Sequence, residues 1–217
     1  MLKLRALNSG MSHPVVNGMT EAVLLCCLLV TNANARAIQE AGPDEARSSN
    51  VEKKARVSKL SIPDEKVFDQ DGRAVRFYSD LIKDKVVVIS FIFTTCAYIC
   101  PMQGEALSKL MTALGARFGK DVHFICVTAD PEADTAKRLK DWGAQFGARD
   151  GWTLVTGEKS QIDKVIAAFM GGKSGKGDHS PVIFIGNGKG GGWIRAYGLA
   201  QPEQMIKLIN EVAAEGL

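Results

Sequence analysis

The chain has 217 residues, of which 46% are hydrophobic and 24% charged, and a formal net charge of +3. Those proportions belong to a globular protein long enough to bury a real core. The small charge and scattered Lys and Arg argue against a nucleic-acid partner, because the one basic cluster, Lys53, Lys54, Arg56 and Lys59, has no aromatic interleaving and reads as a solvated linker.

Residues 1–35 follow the logic of an export signal. Lys3 and Arg5 precede the apolar segment 22–30, and Ala33-Asn34-Ala35 has the small-x-small form of a cleavage site, so cleavage is expected after Ala35. The apolar segment is too short for the ~20 residues that span a bilayer as a helix, which favours a removed signal over a permanent anchor. The competing reading is a mitochondrial presequence, but such leaders are rich in Arg and this one is not. Residues 36–60 carry charge without sustained periodicity and are expected to be a linker. Residues 61–217 then form the folded domain.

That domain opens on two short strand-like pieces around Val67-Phe68 and 74–77, which flank Asp69-Gln70-Asp71-Gly72; an Asp-Gly turn between apolar pieces predicts a β-hairpin. Residues 86–93 are continuously apolar and β-branched, as in a central strand covered on both faces. After a loop holding two cysteines, Met102, Ala106, Leu107, Leu110, Met111, Leu114 and Phe118 recur at three- and four-residue intervals and predict a helix with one buried stripe. On that pattern Met111 and Met102 read as packing residues rather than copper ligands, the case being weaker for Met102 beside the cysteines. Strands follow at 122–128 and 152–155, with helices marked by Ala136, Leu139, Trp142 and Phe146 and by Ile162, Val165, Ile166 and Phe169. A Gly- and Lys-rich loop, 171–177, leads through Asp178-His179-Ser180-Pro181 into strand 182–185. A Gly-rich turn, strand 193–197 and a last helix through Met205, Leu208, Ile209 and Val212 close the chain. This order predicts an α/β domain of thioredoxin-like fold, a central mixed sheet with helices on both faces and a β-hairpin as an N-terminal extension.

The chemistry gathers at Phe93-Thr94-Thr95-Cys96-Ala97-Tyr98-Ile99-Cys100-Pro101. If the helix has begun by Cys96, the two cysteines lie one turn apart on one face, a spacing that permits a disulfide and equally a shared metal. A helix start favours thiolate over thiol at Cys96. Cys26 and Cys27 leave with the leader, and Cys126, in an apolar strand, reads as a small core residue. Of the histidines, only His179 stands in a polar loop at the same predicted sheet edge as the cysteines. Two thiolates and an imidazole are a soft, low-coordination set suited to Cu(I), whereas zinc would want a fourth ligand. Ser180-Pro181-Val182 resembles the proline junction that faces the cysteines of thioredoxin-like reductases, which keeps dithiol exchange open.

These segments, together with Thr128-Ala129-Asp130-Pro131-Glu132-Ala133-Asp134-Thr135 and Asp178-His179-Ser180, resemble the Sco/SenC family, the exported thioredoxin-like copper chaperones of cytochrome c oxidase assembly. Many members carry Pro-Asp between the cysteines where this chain has Ala97-Tyr98. The resemblance implies copper ligation by Cys96, Cys100 and His179 and delivery to the apo copper-site subunit of cytochrome c oxidase or another copper acceptor. It places the chain at the periplasmic face of the inner membrane, with the mitochondrial intermembrane space as the alternative. The alternatives in function are a thiol-disulfide reductase, with Cys96 attacking and Cys100 resolving, and a redox or copper sensor.

Overall fold

The computed structural model describes residues 53–57, 60–171, 181–197, 199 and 201–215. The leader, most of the stretch read as a linker, and His179 lie outside the described residues.

Among the described residues eight strands build one sheet: β1 (Lys53–Val57), β2 (Lys66–Asp69), β3 (Ala74–Arg76), β4 (Val86–Ile92), β5 (Val122–Thr128), β6 (Trp152–Thr156), β7 (Val182–Asn187) and β8 (Trp193–Tyr197), in spatial order β1-β8-β7-β4-β5-β6-β2-β3. β4, β5 and β6 are parallel neighbours and every other pairing is antiparallel. Among the described residues four α-helices connect or cover them: α1 (Ile99–Leu114), α2 (Ala136–Gln145), α3 (Lys159–Met170) and α4 (Pro202–Ala214). The expected thioredoxin-like α/β fold is therefore present, hairpin included.

Side chains alternate across the pleat of β4 and β5, so each strand feeds two cores. Val88, Ile92, Phe124 and Cys126 face a core closed by α1, α2 and α4 through Leu107, Leu110, Trp142, Leu208 and Ile209. Val87, Ile89, Ile125 and Val127 face a second core closed by α3 and by Phe77 and Ile82 of the segment after the hairpin. Double coverage is why these strands read as unbroken apolar runs.

β1 falls inside the stretch read as a solvated linker. It pairs antiparallel with β8 and forms one edge of the sheet, Lys53 opposite Tyr197 and Val57 opposite Trp193. Backbone hydrogen bonding to an open edge needs no hydrophobic alternation, so Lys-Lys-Ala-Arg-Val can serve.

Candidate functional site

β4 ends at Ile92, and its parallel neighbour β5 ends opposite it at Thr128. The chain leaving β4 folds back through a turn closed by the Cys96 amide donating to the Phe93 carbonyl at 3.1 Å and enters α1 at Ile99. The helix therefore does not include Cys96, and the two cysteines do not share a helix face as their spacing suggested. Cys96 instead stands ahead of the first turn, and its Sγ accepts a hydrogen bond from the Cys100 amide at 3.4 Å. Tyr98 precedes the helix without a side-chain cap, so the sulfur takes part in satisfying amides that have no partner within the helix. Pro101 sits in the same turn, where its missing N–H costs no intrahelical bond.

This arrangement makes the two thiols unlike. Burial alone would push the Cys96 thiol up, but hydrogen bonds from the amides of Cys100, Tyr98 and Ile99 and from the Cys100 thiol outweigh it and hold its pKa below the usual thiol value. Cys100 is only 2% exposed; burial, with the neighbouring sulfurs of Cys96 and Cys126 adding to it, pushes its thiol up to about 12. Both are free thiols, as is Cys126. The pair is thus a half-buried, activated sulfur stacked on a buried, protonated one.

Cys126 is a core residue, as its strand context suggested. It is fully buried, its Sγ lies 3.1 Å from Ser90 Oγ and accepts from Trp152 Nε1 at 3.2 Å, and burial pushes its thiol up to about 11. His123 is a half-buried strand residue whose pKa is lowered by burial and by Lys85.

Asp134 has a structural role that its place in a recognisable segment did not reveal. Its side chain is fully buried. It accepts the Thr94 amide at 3.1 and 3.2 Å, the Thr94 hydroxyl, and the Thr128 hydroxyl at 2.7 Å. Arg138 Nε adds a hydrogen bond to Thr94 Oγ1 at 3.2 Å. One carboxylate thereby ties the residue two before Cys96 to the end of β5.

Met102 is the second finding the helical pattern missed. Among the described residues the exposed large hydrophobics are Tyr98, 84% exposed, and Met102, 52% exposed, each two residues from Cys100. The buried stripe of α1 runs through Cys100, Gln103, Gly104, Leu107, Leu110, Met111 and Leu114. Met111 packs as expected; Met102 is off the stripe.

The chain carrying His179 re-enters the described structure at Pro181. β7 runs antiparallel to β4 with Ile183 opposite Ser90, so continuing that register puts Pro181 level with Ile92, at the sheet end from which the cysteine turn emerges. No cluster of three or more His, Cys, Asp or Glu that could hold a metal occurs among the described residues. The donor chemistry of the cysteine turn, two sulfurs linked by one hydrogen-bonded turn, fits a soft monovalent metal.

A mixed sheet that ends its central parallel strand in an unequal thiol pair at a helix start defines a thioredoxin-like thiol domain. The SCO1/SenC family model matches residues 62–214, and the chain belongs to that family. A protein of Stutzerimonas stutzeri named for copper binding is 25% identical over 171 residues, 77% of this chain and 79% of its own. Among solved structures, BsSco, described as a Sco family member with a disulfide switch, superposes with a TM-score of 0.62 at 24% identity, covering 75% of this chain and 98% of that one. Copper-bound ScoI of Bradyrhizobium japonicum superposes with a TM-score of 0.55 at 22% identity, covering 72% and 99%.

Proposed function

We propose that this chain is an exported metallochaperone that takes Cu(I) as cargo on Cys96 and Cys100, with His179 as third donor, and passes it to an apo copper site of cytochrome c oxidase. The observation that carries the reading is the unequal thiol pair: Cys96 presents an activated sulfur to solvent, and Cys100 waits behind it as a second soft donor. The relatives' names supply the metal and the assembly process, copper for the Stutzerimonas protein and for ScoI, and cytochrome c oxidase assembly for BsSco's family. Export rests on the pattern of residues 1–35, and a place at the periplasmic face of the inner membrane on the membership of the SCO1/SenC family. No helix among the described residues is long and apolar enough to cross a membrane.

Loading requires deprotonated sulfur, so each Cu(I) bound by the pair expels the Cys100 proton, and affinity falls in acid. The test is an anaerobic Cu(I) competition titration of the full chain beside His179→Ala, with X-ray absorption counting sulfur and nitrogen neighbours. Loss of one nitrogen neighbour and weaker binding in His179→Ala supports the ligand set; unchanged affinity and an unchanged neighbour count refute it.

The same asymmetry favours a second reading, a thiol-disulfide reductase. The Cys96 thiolate would attack one sulfur of a partner disulfide, expelling the other as thiolate. Cys100, after losing its proton, would then attack Cys96 Sγ, releasing the reduced partner and leaving a Cys96–Cys100 disulfide. Stoichiometric reduction of a protein disulfide by the reduced chain, retained in His179→Ala, would favour it.

A further inference from the structure

At the end of the sheet opposite the cysteine turn lies a cleft for which copper handling has no use. It opens beside Val86, the first residue of β4, so the length of that strand separates it from the turn, roughly 20 Å at about 3.3 Å per residue. Its volume is about 360 Å³, within the size range of small-molecule sites. The wall carries Lys85, Arg117, Lys120 and Lys189 against two carboxylates, Asp84 and Asp121, which leaves a net charge of +2.

The cations come from loops whose backbones are fixed. The Gly188 amide donates to the Lys85 carbonyl at 2.8 Å, and the Lys85 amide to the Ile82 carbonyl at 3.0 Å. A Cβ on Gly188 would run into the Ile82 carbonyl, so glycine is what lets these two loops touch. The Lys189 amide is held by the side-chain oxygen of buried Asn187 at 3.0 Å. On the facing wall the amides of Lys120 and Asp121 both donate to the Arg117 carbonyl, at 3.3 and 2.8 Å.

Elsewhere on the described surface, neighbouring opposite charges pair, as Lys137 does with Asp141 and Lys140 with Asp71. None of the four cleft cations forms an ion pair with a described residue, although Asp84 and Asp121 line the same cleft. Lys85 Nζ donates to the Asp80 carbonyl, a neutral acceptor that leaves its charge uncompensated. Positive charge gathered in a concave wall concentrates anions from solution. Arg117 offers a planar fork and the lysines offer point charges, a mixture that suits phosphoryl oxygens. The cleft is larger than a bare phosphate, with room for the alcohol half of an ester.

We propose that this cleft binds a phosphate ester, with Lys85, Arg117, Lys120 and Lys189 taking the phosphoryl oxygens. The ester belongs either to a soluble compound or to a phospholipid headgroup; in the second case the bound chain stands on the bilayer with its cysteine turn facing away. The site is independent of the copper reading.

His123 reports occupancy. Lys85 and burial lower its pKa while Asp121 acts the other way, so an anion beside Lys85 should raise it. His179, two residues before Pro181 at the other sheet end, is the internal control. Histidine ring signals of the full chain are followed by NMR against pH, with and without glycerol 3-phosphate, and the chain is sedimented with vesicles of phosphatidylglycerol or of phosphatidylcholine. Beside the parent stand Lys120→Gln/Lys189→Gln, both exposed positions of the cleft, and Lys66→Gln/Lys109→Gln, which removes the same charge from exposed positions elsewhere. Circular dichroism confirms that each variant folds. A higher His123 pKa with glycerol 3-phosphate, and binding about tenfold weaker in the cleft variant, supports the site with a soluble ester as ligand. Pelleting with phosphatidylglycerol but not phosphatidylcholine, lost in the cleft variant, supports it with a lipid headgroup as ligand. Binding in neither arm, or an equal loss in Lys66→Gln/Lys109→Gln, overturns the site. Cu(I) binding by the cleft variant should match the parent, so either reading can fail without the other.

Discussion

At neutral pH, iodoacetamide should label Cys96 and leave Cys100 alone, and the size of the preference follows from the site. The shift at Cys100 from 9.0 to about 12 lowers its thiolate fraction at pH 7 roughly a thousandfold. A more basic thiolate is also more nucleophilic, and with a Brønsted slope of about 0.4–0.5 this returns a factor of roughly 15 to 30. The net handicap of Cys100 against an ordinary thiol is then roughly 30- to 60-fold, before its near-complete burial is counted, while the amides around Cys96 move that residue the other way. The assay is a time course on reduced protein at pH 7, read by intact mass and peptide mapping, with a parallel course in urea. In the folded chain the first adduct should sit on Cys96 alone, and in urea the two rates should converge. Raising the pH should narrow the folded-state gap, because Cys96 saturates first while Cys100 gains thiolate until pH 12. Folded-state labelling of Cys100 within a few-fold of Cys96 would refute the account of the turn.

Cys100 and Cys126 hold their protons more tightly folded than unfolded, so the stability they lend is complete below the unfolded value near 9 and drains away as pH rises toward their folded values of about 12 and 11. Between pH 9 and 11 the loss should approach about 1.4 kcal/mol per pH unit for each thiol, and Cys126→Ala should show a shallower alkaline slope than the parent in urea unfolding under reducing conditions. Asp134→Ala strands the fully buried Thr128 hydroxyl and the Thr94 amide and hydroxyl, and should cost about 2–4 kcal/mol; Asp134→Asn, which keeps an acceptor, should cost less, and a midpoint unchanged in Asp134→Ala would contradict the clasp. Gly186→Ala would set a Cβ 2.3 Å from the Trp193 ring and should cost about 1–3 kcal/mol, with a changed near-ultraviolet tryptophan signal.

What the sequence made legible is what depends on local pattern. The unbroken apolar runs of β4 and β5 announce strands covered on both faces, and the Asp-Gly turn announces the β2–β3 hairpin. The start of α1 was not legible, because no Ser, Thr, Asp or Asn marks it and a cysteine sulfur three residues before Ile99 receives amides instead. Met102 read as part of the stripe because it stands four residues before Ala106, whereas the buried row passes through Gln103 and Leu107 instead. Asp134 was hidden for a different reason: its partner Thr94 is 40 residues away, and only the side-by-side ends of β4 and β5 join them. β1 offers only Ala55 and Val57 between basic residues, an alternation too short to separate it from a linker.

The register of β1 has a practical side. Lys53 faces Tyr197, which faces Val182, in a row across the sheet end that also holds the cysteine turn, whereas α4 runs back and finishes beside Val86 and Arg117 at the far end. A support coupled through the start of β1 would therefore press the reactive rim against its own surface. Immobilisation through the end of α4 would leave that rim facing the solution, where an acceptor could dock.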